Sequence, residues 1–142
     1  MPESAAPSPR SSHVFLIEDD PDLSELVIET LKNRGHRTTW AKDANTALSL
    51  LSPPSSDPSQ PLPPPPDLIL LDLSLGGSDG VELMRDLLMV GIPLPPVIIL
   101  SGRSPLSLEV AAGFVEAADV IRKPFTLEDL VAKVEGVLRR GP

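Results

Sequence analysis

Three short apolar runs set the frame of this chain, because each gives way abruptly to charged residues. Val14-Phe15-Leu16-Ile17 precedes Glu18-Asp19-Asp20, Leu68-Ile69-Leu70-Leu71 precedes Asp72, and Val120-Ile121 lies just before Lys123-Pro124. Continuous apolar stretches of four or five residues read as strands buried on both faces, which is the signature of a parallel sheet. In an open α/β sheet, ligands bind just beyond the carboxyl ends of the strands. Neighbouring parallel strands would therefore gather several carboxylates and one ammonium in a single crevice. Carboxylates held that close repel one another and lose solvation, so a cation is expected among them.

The segments between the runs supply the rest of the pattern. His13 to Ile17 reads as a first strand. Residues 21–34 place Leu23, Leu26, Val27, Thr30 and Leu31 at helical spacing, with Asp20 as cap, Pro21 at the first position and Gly35 as stop. His36 to Trp40 reads as a second strand, with Thr38 and Thr39 favouring extension. A short helix over 43–51 is capped by Asp43. A third strand covers 67–71, a Gly-rich turn 76–80 and a helix 81–90. Val97 to Leu100 is a fourth strand, followed by a helix from Ser104 to about Ala117, a fifth strand over 119–122, and a last helix over 126–139 capped by Thr126. That helix carries Leu127, Leu130, Val131, Val134 and Leu138 as its apolar stripe. Strand and helix alternate five times, which predicts an α/β fold with a parallel sheet, helices on both faces and right-handed crossovers.

At 142 residues the chain is one domain by length. Aromatic residues make up only 3%, so the core must be aliphatic. A formal net charge of −8 argues against nucleic acid as a partner, since such binding rests on neutralising phosphates. It argues equally against an anionic membrane surface. There is no cysteine, which removes disulfides and thiolate metal sites and fits a reducing cytosol. Residues 1–12 are polar, rich in Ser and Pro, expected to be disordered, and without the apolar segment of a secretory signal. No run approaches the roughly 18 apolar residues of a membrane span.

Residues 52–66 hold eight prolines in fifteen positions. Proline fixes φ and removes a donor, so this is a stiff, polyproline-like excursion and neither helix nor strand. It reads as a tolerated insertion between the second helix and the third strand, because long surface loops cost little closure entropy. Pro58-Ser59-Gln60-Pro61 and Pro61-Leu62-Pro63-Pro64 also fit the PxxP spacing of docking peptides, a spacing that any proline-rich tract produces by chance.

Taken singly, the charged residues are ambiguous. Asp72 could be a metal ligand, a nucleophile, or simply a cap or turn residue. Asp20 caps the next helix, whereas Glu18 and Asp19 have no such structural duty. Oxygen-only ligands suit Mg²⁺. Ser101, with Gly102 after it, could donate to a phosphoryl oxygen or could be an ordinary turn. Lys123 could bind phosphate as a point charge or could be a solvated surface lysine.

Together, FLIEDDPDL, LILLDLSLGGSDG, VIILSG and VIRKPFTLEDL resemble the receiver domain of two-component response regulators, over about residues 13–140. The resemblance implies a doubly wound, flavodoxin-like (βα)5 fold with strand order 2-1-3-4-5, the order common to this class. It implies Asp72 as phosphoacceptor. Asp19 would bind Mg²⁺ directly, Glu18 would act through water, and Asp72 and the backbone carbonyl of Ser74 would complete the protein ligands. Ser101 and Lys123 would contact the phosphoryl group, and the Lys123-Pro124 bond would be cis. The donor would be a histidine kinase or a phosphotransfer protein, since His13 and His36 begin strands on the opposite rim. Nothing after residue 140 could be an output domain, so if this is the whole protein it is expected to act through protein contacts, on the surface formed by the helix over 104–117, the fifth strand and the last helix. A cytoplasmic location is expected. The chain is not expected to be an enzyme with an external substrate.

The chain departs from the family pattern at Val120, where receivers usually carry Tyr or Phe, and at Gly76, where Pro is common. Gly76-Gly77 should make that turn more flexible. These two features raise an alternative, a constitutive interaction module that keeps the fold without switching. Ser74 and Arg103 lie where phosphoryl lifetime is tuned in receivers. A haloacid-dehalogenase-like phosphatase ranks lower, because Ser74 stands where those enzymes have a second Asp.

Overall fold

The computed structural model describes residues 12–51, 66–72, 74–75, 78–79, 86, 89, 94–101 and 118–140. Strand β1 is His13–Ile17 and β2 is Arg37–Ala41, separated by helix α1, Pro21–Asn33. Helix α2 is Ala44–Leu51 and strand β3 is Leu68–Asp72. A two-residue pair, β4 (Ser74–Leu75) and β5 (Ser78–Asp79), precedes β6, Val97–Ser101. Strand β7 is Asp119–Arg122 and helix α3 is Leu127–Arg140.

Five strands form one sheet in the order β2-β1-β3-β6-β7, every pair parallel. This is the 2-1-3-4-5 order expected of a doubly wound, flavodoxin-like fold. Its two faces explain the continuous apolar runs, because successive side chains of a strand point to opposite sides. Phe15, Ile17, Ile69, Leu71, Val97 and Ile99 pack on one face with Ala47 of α2. Val14, Leu16, Leu68, Leu70, Ile98 and Leu100 pack on the other with Val27 and Leu31 of α1 and Leu130 and Val134 of α3. Both faces are covered, so neither set can be polar. The edge strand β2 is less buried, and its sequence Arg-Thr-Thr-Trp-Ala is correspondingly mixed.

Local capping fixes where the helices start and stop. Asp20 Oδ1 accepts from the amides of Asp22 at 3.0 Å and Leu23 at 3.3 Å, which satisfies two of the orphan donors that begin α1. At its other end the His36 amide donates to Leu31 O and the Gly35 amide to Lys32 O, with Gly35 at φ 92°. That left-handed residue is where a Schellman-type end requires glycine. Asp43 Oδ1 accepts from Thr46 N at 2.7 Å ahead of α2, and Thr126 Oγ1 accepts from Asp129 N at 3.0 Å ahead of α3.

Among the described residues, the strand and helix limits lie within a residue of those read from sequence. Strands β2 and β3 run one residue later than expected, and β6 extends to include Ser101. The Gly-rich turn expected over 76–80 differs more. Ser74 pairs antiparallel with Asp79, and Leu75 with Ser78, so a short hairpin flanks Gly76-Gly77. Asp86 and Met89 are helical, as expected within 81–90. The remainder of that helix, the helix over 104–117, residues 1–11, the proline-rich residues 52–65, Gly76, Gly77, Gly102 and Arg103 lie outside the described residues.

Candidate functional site

The strand order decides which side chains meet. All five strands run the same way, so their carboxyl ends share one edge of the sheet. The chain leaves β1 toward β2 on one side and returns to β3 on the other, and that switch point is where doubly wound sheets bind ligands. There, Glu18 and Asp19 follow β1 and Asp72 ends the adjacent β3. Ser101 ends β6, next to β3, and Lys123 follows β7, next to β6. The Lys123 amide donates to Ser101 O at 2.8 Å, which extends the ladder by one step. The Lys123-Pro124 bond is cis.

Oxygens of Glu18, Asp19 and Asp72 all lie within 4.8 Å of one another. Glu18 and Asp72 are each 1% exposed and Ser101 is fully buried, whereas Asp19 faces solvent. Lys123 Nζ lies 3.2 Å from Glu18 Oε1 and 3.5 Å from Asp72 Oδ2. The other Glu18 oxygen, Oε2, accepts from the Asp20 amide at 3.2 Å. Asp20 is thus spent on capping, in keeping with its reading from sequence.

Among the described residues, one ammonium faces more than one carboxylate. Burial, then the hydrogen bond and charge of Asp72, push the Glu18 carboxyl up to about 7, against the pull of Lys123 and the Asp20 amide. Burial also opposes the Lys123 ammonium, but the nearby Asp72 and Glu18 charges more than offset it and hold that group above its ordinary value. Among the described residues, a cluster of oxygen donors with one ammonium beside it, open to solvent on the Asp19 side, fits a hard divalent cation such as Mg²⁺.

The residues singled out from sequence therefore converge: Glu18, Asp19, Asp72 and Lys123 meet directly, and Ser101 lies beside them in the sheet. Ser74 begins β4, two residues after Asp72. Sequence reasoning placed Trp40 at the end of the second strand but missed its contact there. Its indole Nε1 donates to the Glu18 main-chain carbonyl at 2.7 Å. The contact follows from the register of β1 on β2, with Leu16 opposite Trp40, which the sequence alone does not encode.

The chain belongs to the response regulator receiver domain family, whose pattern matches residues 14–135. It is 32% identical over 127 residues to the response regulator MprA of Mycolicibacterium vanbaalenii, covering 89% of this chain and 50% of that protein. It is 35% identical over 127 residues to the nitrogen assimilation regulatory protein NtrX of Azorhizobium caulinodans, covering 88% of this chain and 26% of that protein. The chain thus spans half the length or less of these relatives. In fold it is similar to a two-component response regulator from Clostridium difficile, with a TM-score of 0.74 at 24% identity, over 92% of this chain and 98% of that one. The receiver domain of Francisella response regulator 1452 gives a TM-score of 0.73 at 25% identity, over 92% and 98%. The family's role is in two-component signalling. Among the described residues, no helix is long and apolar enough to cross a membrane.

Proposed function

We propose that this chain is a phosphoacceptor in the cytoplasm, taking a phosphoryl group on Asp72 from a histidine kinase or phosphotransfer protein and changing its protein contacts as a result. One observation carries the reading: Lys123 Nζ stands 3.5 Å from Asp72 Oδ2, in a crevice where Glu18, Asp19 and Asp72 oxygens lie within 4.8 Å. The receiver unit is residues 13–140, with residues 1–12 as a leading segment and 52–66 as an insertion.

In the step proposed, an Asp72 oxygen forms a bond to phosphorus as the bond to the donor histidine nitrogen opens. That nitrogen keeps the electron pair and later takes a proton. The carboxylate is already the nucleophilic form, so no protein base is needed. Lys123 offsets charge on the transferred oxygens, and the Ser101 hydroxyl donates to one of them. Glu18 (through water), Asp19, Asp72 and the Ser74 carbonyl would hold Mg²⁺. Bound there, the ion would supply a further positive charge against the same oxygens. The product is an acyl phosphate on the protein itself. The chain is accordingly read as a signalling domain that assists its own phosphorylation and dephosphorylation, without an external substrate. Its output surface is assigned to residues 104–117, β7 and α3, with a protein and not nucleic acid or membrane as target.

A second reading has its own observation. Val120, where receivers usually carry an aromatic ring, packs against the core cluster of Phe15, Ile99 and Ala47. Such a residue lacks a ring to swing between exposed and buried positions, which favours a constitutive interaction module.

Intact mass after incubation with acetyl phosphate, with and without Mg²⁺, tests the first reading on the natural chain and on Asp72→Ala. A single Mg²⁺-dependent phosphoryl adduct, absent from the variant, is expected. No adduct from acetyl phosphate or from a phosphorylated histidine kinase would overturn it. An adduct that leaves partner contacts unchanged would favour the second.

A further inference from the structure

Trp40 lies at the end of the edge strand and is 38% exposed. An indole at the surface can satisfy its N–H with water, so a protein partner calls for explanation. Here the partner is the main-chain carbonyl of Glu18, at 2.7 Å. The Ser24 hydroxyl approaches the same carbonyl at 3.5 Å, and the Glu18 amide donates to Ala41 O at 3.1 Å. Strand β2 therefore holds Glu18 from both its amide and its carbonyl, once through the backbone and once through the indole.

That carbonyl belongs to the peptide unit joining Glu18 to Asp19. A peptide unit is planar, so fixing its oxygen fixes the plane from which Asp19 departs. Glu18 and Asp19 are two of the three residues whose oxygens gather within 4.8 Å. On its other side, Trp40 lines a groove with Pro21, Glu25, Ile28, Glu29 and Lys32, so it is lodged between α1 and the acidic turn.

We propose that Trp40 is a positioning residue for the divalent cation: its indole N–H orients the Glu18–Asp19 peptide so that both side chains face Asp72. The inference rests on the Mg²⁺ reading above and names a residue that reading does not use.

The test replaces Trp40 with 3-benzothienylalanine, which keeps the ring shape and puts sulfur in place of the N–H, and separately with 7-azatryptophan, which keeps the N–H. Mg²⁺ affinity is measured by calorimetry on the whole chain, alongside melting in EDTA and the indole N–H proton resonance. Loss of one oriented hydrogen bond should weaken Mg²⁺ about three- to tenfold in the sulfur analogue. The 7-aza analogue should retain the natural affinity, and melting in EDTA should be little changed in both. In the natural chain the indole N–H resonance should move as Mg²⁺ is added. Equal affinity in the sulfur analogue and the natural chain would overturn the proposal. So would an affinity loss matched by loss of the metal-free fold, which would assign Trp40 to stability alone. If the analogues incorporate poorly, Trp40→Phe, which removes the N–H together with part of the ring, is read by the same Mg²⁺ affinity and by melting in EDTA. A natural chain that binds no Mg²⁺ would overturn the underlying reading, and that result is visible before any variant is compared.

Discussion

Arg34 Nε donates to Glu135 Oε2 at 2.9 Å across 101 residues of sequence, tying the C-terminal end of α1 to α3. His36 Nε2 lies 3.0 Å from the same oxygen. Arg34 first, and then His36 against the opposing effect of burial, hold the Glu135 carboxyl down to about 2 from an ordinary 4.5. A depressed carboxyl contributes stability that is fully present above its unfolded value and lost as pH falls through the folded one. The cluster should therefore weaken between pH 4.5 and about 2. Thermal melts of the natural chain and Glu135→Gln across that window are the check. The difference between them should be constant above pH 5 and shrink as the acid is added. Curves that stay parallel to pH 2 would reject the linkage.

Mg²⁺ should stabilise the folded chain, because a ligand that binds only the native state adds stability by mass action, about 2.7 kcal/mol at a hundredfold excess over the dissociation constant. The melting temperature should rise with millimolar Mg²⁺ and rise much less in Asp19→Asn and Asp72→Asn. An unresponsive natural chain, or undiminished responses in both variants, would count against the oxygen cluster as the binding site.

Asp20 offers a control beside that cluster. Its carboxylate caps α1 through the Asp22 and Leu23 amides. Asp20→Ala should cost about 1 kcal/mol in denaturant unfolding while leaving the Mg²⁺ response in place. Loss of the Mg²⁺ response in this variant would mean that Asp20 belongs to the metal site after all.

Leu70 is fully buried on the central strand, and Leu26 is 51% exposed on α1. Leu70→Ala should destabilise by about 2–5 kcal/mol, through lost transfer energy and the cavity left behind. Leu26→Ala should fall within about 0.5 kcal/mol of the natural chain. Urea unfolding of the two variants side by side measures both. Similar costs at the two positions would contradict the burial described.

Most of the frame was legible because each strand of the sheet interior is buried on both faces. Leu68 to Leu71 had to be apolar at every position, and a charge at its end could only stand at the sheet's edge. The caps were equally local, with Asp20, Asp43 and Thr126 each next to the helix it begins. The hairpin of Ser74–Leu75 with Ser78–Asp79 was read as a turn, since two residues are too few to show a period of two. The contacts of Arg34 with Glu135 and of Trp40 with Glu18 were not legible. They depend on which elements become neighbours in space, and no spacing within one element encodes that.

Strand β3 is paired on both sides and buried at every residue. Its amides can reach solvent only when the sheet itself opens, so they should be among the last in the chain to exchange for deuterium. Asp72 is rooted in that slowest-exchanging strand. A chemical mark placed there has little freedom to displace its own anchor, so its effects must be felt as motion in the looser elements around it.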